Sequence, residues 1–245
     1  MLAGCVVFGL GGCASLEGPE FGVFDPYEKF NRAVYGGSDG LDRAVFAPIA
    51  TGYSRVVPDP VERGVRNFFV NLRGVEGIVS GFLQAKPKRG SIAFGRVVVN
   101  TTLGIAGIFD VATPLGLADQ NEDLGQVFAT WGVTRTRYLV LPILGPTTLR
   151  DWPGLALRAW LPRLVYGTHY GIWVFALDFV SFRADMLQQT RVRDEMALDP
   201  YSFTREAYYQ RRRYDIFDGN PPLEEFFDEV DDEPPTSAEL GSASQ

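Results

Sequence analysis

The chain has 245 residues, 46% of them hydrophobic, and a formal net charge of −7, which is enough apolar material for one large core. All nine carboxylates from Asp218 onward lie beyond the last basic residue, Arg213, so the part up to Phe217 carries 23 basic against 21 acidic residues. That near balance, with no dense basic stripe and a single histidine, argues against nucleic-acid binding.

At the N-terminus a short apolar run ends in Leu10-Gly11-Gly12-Cys13, and small residues before a cysteine are what bacterial lipoprotein processing requires. Leu2-Ala3-Gly4-Cys5 is closer to the usual pattern but has no signal upstream, so Cys13 is the expected acylated residue and Cys5 the alternative. No basic n-region precedes either cysteine, which points to a recorded start that omits a few residues. With no further cysteine, a structural disulfide is not expected. Residues 1–13 therefore read as a lipoprotein signal, 14–24 as a tether, 25–217 as one folded domain and 218–245 as an acidic, disordered tail.

The domain opens with Asp25-Pro26-Tyr27-Glu28, and Asp59-Pro60-Val61-Glu62 repeats the device: an N-cap Asp, Pro at the first helical position and Glu at the third. Asp199-Pro200 announces a third such start. The helix from residue 59 has Val61, Val65, Phe68, Phe69, Leu72, Val75, Val79, Phe82 and Leu83 at three- and four-residue steps, with Glu62, Arg66, Arg73 and Glu76 on the opposite face. Gly74, Gly77 and Gly81 weaken that helix, which calls for another backbone close by. Two later stretches, 97–118 and 155–180, are nearly long enough to span a bilayer. Gly104, Gly107, Pro114 and Gly116 break the first, and Pro162, Gly167, Gly171 and Asp178 interrupt the second, so both read as broken apolar helices at a membrane surface or in one leaflet, or as core helices of a bundle. Between them Ala118–Asp123 reads as a polar turn opening a helix, and Tyr138–Pro146 as an extended apolar loop. Strand signals are otherwise scarce, and the predicted fold is mainly α.

Catalytic constellations are missing from the sequence. There is no nucleophile elbow, no phosphate-binding glycine loop and no dinucleotide fingerprint, and His169 has no second histidine for a relay or metal site. Asp119, Glu122 and Asp123 could form an all-carboxylate metal site but read first as the polar turn. No enzyme, cofactor or metal is expected.

Ordered blocks along the chain resemble the VacJ/MlaA family of outer-membrane lipoproteins. They begin with Asp25, Pro26, Glu28, Phe30, Asn31, Arg32, Tyr35 and Asp39, and continue through Arg66–Leu72, Arg96–Gly104, Glu122–Gln126 and Trp131–Val133. Pro142, Gly145, Arg150 and Asp151 belong to the most specific run, and Asp199-Pro200-Tyr201 with Arg205–Tyr208 closes the match. The resemblance implies a nonenzymatic, lipid-anchored protein on the periplasmic face of the outer membrane, a single ring or bundle of helices lying in one leaflet. It further implies passage of mislocalised phospholipids from the outer leaflet to a soluble periplasmic carrier, beside a trimeric porin, so that lipid asymmetry is maintained. A lipid path of that kind needs polar groups for the phosphate inside apolar surroundings, and Arg96, Asn100 and Asp110 are the candidates; helix capping by Asn100 and helix termination by Asp110 are the alternative. Departures are Gly36-Gly37-Ser38, where the family carries an aromatic and an Asn, and Arg73-Gly74-Val75, where an acidic residue and Pro are frequent, which leaves the second helix free to run on unbent. Ala14-Ser15 lacks the Asp that retains lipoproteins in the inner membrane, in keeping with the outer one. A scaffold that braces a porin complex without transport, and a phospholipase, are the competing readings.

Overall fold

In the computed structural model, described here for residues 24–222, the chain is mainly α-helical with one small hairpin. Helix α1 (Glu28–Leu41) passes through a π-helical turn (Asp42–Phe46) into α2 (Ala47–Val56), and α3 (Asp59–Leu83) and α4 (Pro87–Thr102) follow as an antiparallel pair. After a run of turns come α5 (Leu124–Thr130), the antiparallel strands β1 (Tyr138–Leu141) and β2 (Gly145–Thr148), and three helices, α6 (Trp152–Asp185), α7 (Leu187–Met196) and α8 (Pro200–Ile216). Packing forms a closed circuit: α2 lies on α6, α6 on α3, α3 on α5, α5 on α8, α8 on α7 and α7 on α2. The expected signal, its cysteines Cys13 and Cys5, nearly all of the tether and the acidic tail from residue 223 lie outside the described residues. The folded part extends slightly past its expected boundary, because Asp218 sits in a turn after α8 and pairs with Lys86 at 2.7 Å and Arg89 at 3.1 Å.

The glycines of α3 do what their positions imply. A Cβ on Gly81 would stand 2.7 Å from the backbone nitrogen of Gly90, and one on Gly74 2.7 Å from Val97 Cγ2. These contacts let α3 and α4 lie close along their length, and α3 runs unbent through Arg73-Gly74-Val75. The polar face of α3 is packed against its neighbours. Glu76 is buried, and Arg66 and Arg73 reach Asp185 and Asp178 on α6 at 3.1 and 2.9 Å, so this face is a charged interhelical seam.

Two of the three cap readings need revision. Helix α1 starts at Glu28 behind a turn, with Tyr27 at the cap position, and α3 includes Asp59 as its first residue with no side-chain cap bond. Asp25 is drawn into tertiary bonds that outcompete a local cap: it accepts from Asn31 Nδ2 at 2.8 Å, from Arg205 at 3.2 Å and from the Tyr201 hydroxyl. Asp199 behaves as read, accepting from the Tyr201 amide. The stretch after Thr102 is a series of turns rather than more helix, with Ile105, Ala106 and Gly107 all at positive φ. The apolar loop at 138–146 closes instead into the β1–β2 hairpin, turning at Ile143 (φ 68°). In α6 the interruption is sharp: Gly167 adopts φ 73°, ψ 172°, a region essentially reserved for glycine, and splits the element in two. Among the described residues no helix is long and apolar enough to cross a membrane.

Candidate functional site

Polarity is inverted relative to an ordinary globular domain. Among the buried residues polar and charged side chains outnumber apolar ones, while Phe94, Leu103, Ile105, Phe109 and Leu115 in the 87–117 region and Trp160, Leu164, Tyr170 and Trp173 on α6 are all more than half exposed. Apolar surface on this scale marks contact with lipid or protein rather than water. His169 is exposed on the same stretch of α6, edge-on to Tyr170.

The charged interior is built around Arg212 of α8. Its guanidinium donates to Asp123 at 2.6 and 3.1 Å and to Asp151 at 2.9 Å. Asp151 also accepts from Arg150, Thr148 and the Tyr208 hydroxyl. Burial works against ionisation of Asp123, but the field and hydrogen bonds of Arg212, with Arg158 beyond, hold its carboxyl below the usual range. Asp151 is lowered in the same way against its burial, by Arg212 and Arg150. Glu76, on α3, accepts from Arg158 at 2.7 Å and from the Leu124 amide, tying α3, α5 and α6 together. Glu122 accepts from Arg89 at 2.6 Å and from Gln84 at 2.7 Å. Glu122 and Asp123 are each committed to arginine, so these two carboxylates tie helices together.

The first motif block makes a second hub. Asn31 is fully buried and spans two elements: its Nδ2 donates to Tyr138 O and its Oδ1 accepts from Val140 N, gripping β1. Arg32 bridges Glu28 and Asp199 at 2.7 Å each and covers the Tyr201 ring. The Tyr35 hydroxyl receives Arg193, as does Asp39, which also holds Arg43. Pro26 lies in the turn before α1, Phe30 is exposed, Pro142 is in the hairpin turn, and Gly145 opens β2 at φ 83°.

Arg96, Asn100 and Asp110 are brought together. Asn100 Nδ2 donates to Asp110 Oδ1, and Asn100 Oδ1 accepts the amides of Val111 and Ala112 at 2.9 Å. Arg96 donates to Thr113 Oγ1 and Leu117 O and lies 3.4 Å from Asp110 Oδ2. This triad clamps the turns after α4; Asn100 lies inside α4, which ends at Thr102, and Asp110 lies in the loop, so neither caps nor terminates a helix as the alternative had it. Arg96 and Asn100 also line a cleft of about 200 Å³ between α3, α4, α6 and the 119–122 turn; Asp110 does not line it. Sequence reasoning missed Arg73, Arg158 and Asn71 on the cleft wall. Arg73 was visible only as part of a polar helix face, Asn71 only as a member of the Arg66–Leu72 block, and Arg158 only as a charge within the apolar stretch 155–180.

The MlaA lipoprotein family profile matches residues 23–215. The intermembrane phospholipid transport system lipoprotein MlaA of Escherichia coli is 34% identical over 210 residues, covering 83% of this chain and 82% of that one. The protein of the same name from Haemophilus influenzae is 29% identical over 201 residues, 80% of each. An uncharacterised protein of Rickettsia prowazekii is 34% identical over 197 residues, 79% of this chain and 78% of its own. A solved structure described as the structural basis for maintenance of bacterial outer membrane lipid asymmetry superposes with a TM-score of 0.68 at 33% identity, covering 80% of this chain and 99% of that one. The chain belongs to the MlaA lipoprotein family.

Proposed function

We propose that this protein is an outer-membrane lipoprotein that removes mislocalised phospholipids from the outer leaflet and hands them towards the periplasm, keeping the membrane asymmetric. The observation that carries the reading is the inverted polarity: large apolar side chains outside and a charged interior suit a protein sunk among acyl chains with a polar route through it. The kinked, aromatic-rich α6 and the apolar turns after α4 supply the lipid-facing surface, in one leaflet since no described helix spans. The cleft lined by Arg96 and Asn100 lies on the route, and the Asn100–Asp110 clamp sets the shape of its wall. The Escherichia coli and Haemophilus influenzae relatives are named as phospholipid transport lipoproteins, and this family relationship supports transport rather than catalysis. Anchoring through Cys13, with Cys5 as the alternative, placement on the periplasmic face, a trimeric porin neighbour and a soluble periplasmic carrier complete the proposal.

The test is outer-leaflet phospholipid in cells lacking the protein, complemented by the intact gene or by Cys13→Ala. Accumulation reversed by the intact form alone supports anchored removal. Accumulation reversed equally by Cys13→Ala moves the anchor to Cys5. No accumulation on deletion overturns transport in favour of a porin scaffold.

A further inference from the structure

The cleft wall carries both signs of charge, and its free valences are unequally distributed. Arg73 spends Nη1 on Asp178, leaving Nη2 and Nε; Arg158 spends Nε on Glu76, with Nη2 3.5 Å from Asp123, leaving Nη1. Both are about one-third exposed, unlike Arg96, whose guanidinium is taken up by Thr113, Leu117 and Asp110. The acidic side differs too. Glu122 is ion-paired, whereas Asp119 accepts only the Asn121 amide, at 3.3 Å, and has no cation beside it. Asn71 offers a second acceptor: its Nδ2 donates to Thr101, and its buried Oδ1 has no partner, a group that native structures rarely leave unfilled. All six side chains line one space of about 200 Å³, below the roughly 300–1,000 Å³ of a pocket that engulfs a drug-sized ligand. Its size suits a headgroup, with acyl chains left outside.

Resting on the phospholipid reading above, we propose that this cleft is a headgroup subsite selective for a zwitterion bearing a primary ammonium. The phosphate sits against the open guanidinium donors of Arg73 and Arg158, which suit its geometry, and the ammonium against Asp119 and Asn71 Oδ1. A glycerol headgroup leaves Asp119 facing a lipid of like net charge. A choline headgroup has no N–H to give Asn71.

The test incubates the purified full-length protein with vesicles of equal phosphatidylethanolamine, phosphatidylcholine and phosphatidylglycerol, re-isolates it, and quantifies bound lipid by mass spectrometry. The wild type is expected to enrich the ethanolamine lipid about two- to fivefold, the scale of one partly exposed charge pair. Asp119→Asn, at an exposed position outside the ion-pair network, loses the enrichment over phosphatidylglycerol; Arg73→Gln lowers all three. Equal binding of the three lipids, or enrichment that survives Asp119→Asn, overturns the subsite and leaves the transport reading standing. Absence of bound lipid altogether overturns the transport reading.

Discussion

Substituting Gly125 by alanine tests whether the Arg212 hub holds the fold together. At an ordinary helical glycine the change stabilises by up to about 1 kcal/mol through helix propensity. Here the new Cβ would collide with Asp151 Oδ1 and lie 2.7 Å from Arg212 Nη2, inside van der Waals contact with both members of a buried ion pair. Asp151 is pinned from its other sides by Arg150, Thr148 and Tyr208, so it cannot retreat without breaking those bonds. Overpacking costs about 1–3 kcal/mol and parting a buried pair about 3–5 kcal/mol, set against the propensity gain. A net loss of about 2–5 kcal/mol follows, or a fall in Tm of roughly 5–15 °C for a domain of this size. Thermal unfolding in mild detergent, followed by circular dichroism, reads it directly. The matched control is Gly37→Ala, also helical but with nothing within 4 Å of its Cβ, which should raise Tm slightly. If Gly125→Ala is as stable as Gly37→Ala, the hub does not have the tight geometry described.

Other outcomes follow from the same framework. Asp123 and Asp151 ionise at lower pH in the folded than in the unfolded chain, so their contribution should be complete above about pH 4 and be lost as pH falls towards their lowered values; Asp123→Asn should flatten this acid limb in pH-dependent unfolding. Asn31→Leu orphans Tyr138 O and Val140 N in a buried setting and should cost about 2–4 kcal/mol by urea unfolding. Gly167→Ala puts a Cβ on a backbone at φ 73°, ψ 172° and should lose about 1–3 kcal/mol; an unchanged or raised Tm would mean that α6 is not kinked there.

What was legible in the sequence was whatever is local or periodic. The apolar steps of α3, the close-approach glycines, the proline start at Asp199 and the break at Gly167 each depend on neighbours within a turn or two, and the structure carries them. The caps at Asp25 and Asp59 were misjudged because a carboxylate cannot announce whether its partner will be the next amide or an arginine 180 residues away, as in Asp25 with Arg205. Nothing in the sequence pairs Glu76 or Arg73 with α6 for the same reason: an ion pair between helices leaves no periodic trace. Arg96, Asn100 and Asp110 were found because polar residues stand out in an apolar run. Arg158, between Leu157 and Ala159, and Asn71, between Val70 and Leu72, interrupt apolar runs in the same way, and only their tertiary placement shows that they share a cleft with Arg96 and Asn100.

The measurement that bears most directly on the central claim is phospholipid removal by the purified protein. Vesicles carrying a labelled phospholipid confined to the leaflet opposite the anchored protein are mixed with acceptor, and loss of label is followed in time. Faster loss with the lipidated protein than with protein-free vesicles, and slower loss once Arg73 is replaced by Gln, is what the account predicts. Loss no faster than in protein-free vesicles, with the porin and the periplasmic carrier both supplied, would contradict it.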